Sequence, residues 1–154
     1  MVHPRTRRSL GISPLTIVGL AALAVPRVVA HDLGPVDPTI NLLLTFVPIA
    51  VWLAVVLWRR VPNPFLTLLA VGAVYGVALG AIHVLLWDQA FGGGSPVLGG
   101  SIDGVLPPPV EGAVLRGFTL LSSLVTGTAV GAVTGGVAWL ITKLVPGLRP
   151  RLDA

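Results

Sequence analysis

Residues 68–87, LLAVGAVYGVALGAIHVLLW, form an apolar run with glycine at positions 72, 76 and 80. About 20 such residues cross the hydrocarbon core as a helix, which satisfies every backbone polar group internally. Residues four apart share one helix face. Gly72, Gly76 and Gly80 therefore make a smooth groove, and Gly127, Gly131 and Gly135 repeat the spacing. In lipid, helices are not driven together by hydrophobicity, so small-residue grooves that admit a second backbone do that work. The two stretches are expected to meet as a glycine zipper, within one chain or between copies.

Other apolar runs complete an all-α reading. The chain has 154 residues, of which 54% are hydrophobic and only 10% charged, with a mean hydropathy of +0.91. Soluble domains carry about 25% charged residues, so this composition belongs to integral membrane proteins. Four transmembrane helices are expected in a single membrane domain covering 1–154, with spans at about 10–30, 39–58, 65–87 and 118–142. The count falls to three if residues 1–30 are a cleaved signal, since Val28-Val29-Ala30 offers a small-residue cleavage site before His31. A retained helix is the preferred reading because the run matches a bilayer span.

The connections follow from turn chemistry. Residues 31–38, HDLGPVDP, read as a short acidic loop. Asn41 is expected to cap the second span or lie at the interface. Pro48 removes a backbone donor mid-span and should kink it. Residues 88–109 hold two glycine clusters, Gly104 and a triple proline, which predicts an irregular outer loop. Helix resumes after Pro109 with Glu111 in its first turn, where the helix dipole favours an acid.

Charge then orients the bundle. Arg5, Arg7, Arg8, Arg59, Arg60, Lys143, Arg149 and Arg151 fall on one side of four spans. Asp32, Asp37, Asp88, Asp103 and Glu111 fall on the other, with only Arg27 and Arg116 as basic companions. The positive-inside rule places both termini in the cytoplasm of a multi-pass cell-membrane protein. Basic residues scattered at span ends do not make a nucleic-acid surface, so no nucleic acid is expected as partner. The expected partners are the bilayer and either a homo-oligomer or another membrane protein.

Few residues suggest chemistry. At 100° per residue, His83 and Trp87 share the stripe of Gly72, Gly76 and Gly80, which turns His83 toward a partner helix. An ionisable group at membrane depth is costly and hints at function, although an imidazole hydrogen-bonded across an interface explains it too. If the two grooves pack antiparallel, Ser122, Ser123 and Thr126 lie within reach of His83. His31, Asp32, His83 and Asp88 all belong to the outer half and are the candidate functional polar residues. They lack a tight ligand pair, so no metal and no cofactor is expected. Arg27 can snorkel to the headgroups or pair with Asp32 or Asp88. Tyr75 lies on another face and needs a partner for its hydroxyl.

No cysteine, G-x-S-x-G, H-E-x-x-H or P-loop is present. The expected function is therefore non-enzymatic: a scaffold or subunit acting through helix contacts. The alternative is a small homo-oligomeric transporter or channel for protons or cations using His83. A second buried polar group at the depth of His83 would favour the alternative. A reporter fused after Ala154 is expected to be active only as a cytoplasmic fusion; activity confined to the outer side would reverse the orientation.

Overall fold

The computed structural model describes residues 10–94 and 96–150. Arg5, Arg7, Arg8 and Arg151, used in the charge argument, lie outside them. Among the described residues the chain is all-helical. In order, α1 is Pro14–Ala22, α2 Val25–Leu33, α3 Pro38–Trp58, α4 Pro64–Leu85, α5 Trp87–Ala90 and α6 Pro108–Leu144. Single 3-10 turns cover Gly100–Ile102 and Pro146–Leu148. Four segments are long and apolar enough to cross a membrane: Pro14–Leu33, Pro38–Trp58, Pro64–Leu85 and Pro108–Leu144. The chain is thus built as a multi-pass membrane protein with four spans.

Proline shapes the first span. Pro26 has no N–H, and its ring crowds the carbonyl four residues back, which weakens the helix there. The chain tightens: Leu23 and Ala24 donate to Leu20 and Ala21 at 3.2 Å, and α2 starts afresh at Val25. The Leu20 carbonyl takes a second donor, the indole of Trp52, at 2.6 Å. This bond crosses to α3 and buries Trp52 completely. Ile17, Leu20, Ala21, Ala24 and Val28 join the same core.

Helix starts are set by caps. Ser13, Asp37 and Asn63 each accept from backbone N–H groups of the first turn of α1, α3 and α4. These groups have no partner inside the helix, so a short polar side chain fills the need. At α3 the cap is Asp37, and the Asn41 carbonyl is occupied by the Thr45 hydroxyl at 2.7 Å. α3 continues through Pro48 as one helix. α6 begins at Pro108, because proline fits the first helical position where no donor is required. At 37 residues α6 is about 55 Å long, well beyond the ~30 Å hydrocarbon core. Its first turns run past the apolar layer, where Glu111 accepts from the Leu98 amide at 2.5 Å and ties back the loop.

The acidic loop expected at 31–38 is shorter than the sequence suggested. α2 continues to Leu33 and stops only at Gly34, whose φ of 150° ends the helix before Pro35. His31 and Asp32 therefore sit on a helix, not in a loop. The bond Ala30–His31, the alternative cleavage position, lies inside α2.

α4 is the hub and touches α1, α2, α3, α5 and α6. Its largest interface is with α6, and the two run antiparallel: Phe65 lies against Gly135, Gly72 against Gly127 and Gly131, and Gly80 against Leu120 and Ser123. A Cβ on Gly76 would stand 2.9 Å from both Leu124 Cα and Ser123 O. One on Gly131 would stand 2.5 Å from Leu68 O. Backbone meets backbone along the stripe, with Ala138 fully buried at its end.

Space predicts opposite signs for one substitution. Gly127→Ala drives a methyl into the Gly76 backbone, whereas Gly136→Ala meets nothing within 4 Å. The first is expected to destabilise the protein in detergent by about 1–3 kcal/mol through overpacking. The second should leave stability unchanged or raise it by up to ~1 kcal/mol through helix propensity. Thermal melting of both checks this; equal shifts would mean that the contact between α4 and α6 is loose.

Candidate polar site at one end of the bundle

One end of the bundle holds the turn between α3 and α4, with Arg59 and Arg60, together with Lys143 at the end of α6. The other end holds the last turns of α2 and α4 and the short α5. There the glycine stripe gives way to larger polar residues on both helices. The backbones no longer touch, and a cavity of about 480 Å³ opens. Arg27, His31 and Asp32 enter it from α2, and His83 from α4. Thr119, Ser122, Ser123 and Thr126 enter from α6. Val28, Leu79, Trp87, Ala90 and Phe91 form the apolar wall.

Asp32 is the centre of this site. Its side chain is only 3% exposed, although it lies next to the last residue of the first span. His83 Nδ1 donates to Asp32 Oδ2 at 2.6 Å, and His31 Nδ1 approaches Oδ1 at 3.3 Å. A buried carboxylate needs such donors, because leaving it unpaired in a low-dielectric setting costs several kcal/mol. The His83 side chain is 28% exposed and that of His31 69%, so both imidazoles reach from the carboxylate toward solvent.

Arg27 does not join the carboxylate. Its Nε donates to the Thr45 hydroxyl at 2.7 Å, and that hydroxyl in turn donates to the Asn41 carbonyl. The guanidinium also lies within electrostatic reach of the Tyr75 hydroxyl. Among the described residues its charge makes no ion pair. The pairing with Asp32 or Asp88 that the sequence allowed is absent, because two imidazoles occupy Asp32 and Asp88 points elsewhere.

Asp88 opens α5, is exposed, and does not line the cavity. So three of the four polar candidates converge, and the fourth stays out. No group of three or more His, Cys, Asp or Glu residues among those described is arranged to hold a metal ion. The hydroxyls also divide. Ser122 donates to the Thr119 carbonyl at 3.1 Å and Thr119 to Leu115 at 3.0 Å. Ser123 is 5% exposed, and its hydroxyl makes no hydrogen bond among the described residues. Tyr75 packs edge-on against Trp52 with ring centroids 6.0 Å apart, which is a structural role.

Two neighbours were not singled out as site residues. Phe91 stacks tilted on Trp87, with ring centres 4.9 Å apart, and Arg116 covers the Trp87 ring at 4.7 Å. Trp87 itself is buried, and its indole N–H has no partner among the described residues. Only its place on the His83 stripe hinted at its position. Nothing local in the sequence marks Arg116 as a ring partner, since α6 and α5 are brought together by the fold.

The Asp32–His83 contact predicts energetic coupling. Asp32→Ala should destabilise the protein by about 1–3 kcal/mol by orphaning a buried donor. Combined with His83→Ala, it should show a coupling energy of about 0.5–3 kcal/mol in a double-mutant cycle. Asp88→Ala should change stability by less than ~0.5 kcal/mol. Additive losses at 32 and 83 would remove the pair from the design of the bundle.

No family model, curated protein or solved structure matches this chain, so the site's own chemistry carries the functional reading.

Proposed function

We propose that this chain is a non-enzymatic cell-membrane protein that serves as a small binding subunit, presenting its polar cavity on the outer side. The observation that carries the reading is the buried Asp32 held between His31 and His83 inside an open cavity. Two imidazoles, a guanidinium and free hydroxyls around an open volume are more than packing needs, and polar groups inside a membrane are costly unless used.

Orientation comes from charge. The end with Arg59, Arg60 and Lys143 is assigned to the cytoplasm, and both termini with it, by the positive-inside rule. The bundle is proposed to act as the scaffold, with its exposed apolar faces against lipid. Copies of itself or another membrane protein could dock on the same faces through helix contacts. An enzymatic reading has less support: the Ser122 hydroxyl is committed to a backbone carbonyl, and among the described residues no hydroxyl is bonded to His83.

A second reading has one observation in its favour. The 2.6 Å contact between Asp32 and His83 suits a pair that passes a proton, as in transporters. The backbone contact of α4 with α6 leaves no path between those helices, so a pore would have to form between protomers.

Two measurements separate these readings. The purified protein should be stabilised against heat by at least one member of a panel of small polar solutes. Thr126→Trp, which fills the cavity from its rim, should abolish that stabilisation. Reconstituted with a pH-sensitive dye, the protein should show no proton flux above empty vesicles. A leak lost in His83→Ala would replace binding with transport.

A further inference from the structure

Arg27 carries a positive charge into the bundle with no acid beside it among the described residues. It is half-buried, and its Nε is oriented by Thr45. The one acid in the cavity, Asp32, is taken by two imidazoles. A partly desolvated guanidinium without a counter-charge is unfavourable, so an anion from outside the chain is its natural complement. This reasoning rests on the cavity being a binding site, as proposed above.

The rest of the lining narrows the anion. A carboxylate is planar and takes a guanidinium edge-on, in one plane. Here the polar groups come from three helices around the space: Arg27 and His31 from α2, His83 from α4, and Ser123 and Thr126 from α6. That arrangement suits a tetrahedral oxyanion with oxygens in several directions. Ser123 supplies a second, independent sign. The residue is 5% exposed and lines the cavity, and its hydroxyl has no hydrogen-bond partner among the described residues. That hydroxyl opens on the cavity, where a ligand oxygen would satisfy it.

The histidines refine the class further. An imidazole that donates through Nδ1 presents Nε2 as an acceptor when neutral. An acceptor beside donors suits a monoester, whose monoanion has a P–OH group able to donate, as a diester has not. The apolar wall of Val28, Leu79, Trp87 and Phe91 offers a surface for the organic part of the ester. We propose that this cavity binds a phosphate monoester, with Arg27 as its counter-charge and Ser123 as a hydrogen-bond donor. The same chemistry is offered by a soluble monoester and by a lipid headgroup such as phosphatidic acid.

The full chain, purified in neutral detergent, is to be titrated calorimetrically with inorganic phosphate and with glycerol phosphate. In parallel, its melting is to be followed in nanodiscs of dioleoylphosphatidylcholine, with and without dioleoylphosphatidic acid. Binding of a soluble probe would identify a free monoester as the source. Stabilisation by phosphatidic acid alone would identify the lipid. In either case Arg27→Gln should weaken the response about tenfold or more, and Ser123→Ala about threefold. Arg59→Gln, which removes an exposed charge at the opposite end of the bundle, should bind as the parent does. Melting without probe verifies that each variant folds, and Arg27→Lys, which keeps the charge but loses the fork, should fall between. No response to any phosphate probe, or one that survives Arg27→Gln, overturns the proposal. An equal loss in Arg59→Gln would show diffuse attraction to surface charge and overturns it as well. If a phosphate-free solute still stabilises the protein and Thr126→Trp cancels this, the binding reading stands without phosphate. If nothing stabilises it, both fall.

Discussion

Backbone contact between α4 and α6 is the constraint on which the rest of the bundle depends. A lipid environment rewards close packing and hydrogen bonding but gives no hydrophobic reward for association. Six glycines at four-residue spacing remove every side chain from the shared stripe, so the two helices approach to atomic contact over several turns. Each glycine leaves almost no room for a methyl group. The remaining spans then build outward from α4, with Trp52 and Val28 filling the groove between α1, α2 and α3.

The polar cavity is a consequence of where that stripe ends. Past Gly80, α4 carries His83, and the facing part of α6 carries Ser122 and Thr119 instead of glycine. Larger side chains hold the helices apart, and the space between them fills with polar groups from α2. The break at Pro26 matters here. Helix restarts after it as α2, which brings Asp32 to His83, fifty-one residues away in sequence. The same break exposes the Leu20 carbonyl, which Trp52 then caps, so a proline defect becomes a cross-helix bond.

The ionisable groups are sorted by depth and partner. Asp32, the most buried, receives two donors. Arg27 has a hydroxyl and a phenol near it but no acid among the described residues. Arg116 rests on an aromatic face, an arrangement that stabilises a cation without a counter-charge. Lys143 does the same over Trp139 at the opposite end, with the ammonium 5.7 Å from the ring centre.

Sequence alone determined the class of fold, the places of the apolar runs and the face on which glycine lies. Those follow from run length and helical period, which are local properties of the chain. It also placed His83 on the glycine stripe, since one period fixes that angle. It did not show that α2 reaches Leu33, because a polar HDLG segment reads as a turn until a partner for Asp32 is in place. Nor could it choose Asp32 over Asp88 as the acid beside His83: both lie at the same end, and Asp88 is the nearer in sequence. That choice depends on the break at Pro26 and on the way α2 packs against α4. Contacts between segments so far apart are set by the packing of whole helices, which no local pattern encodes.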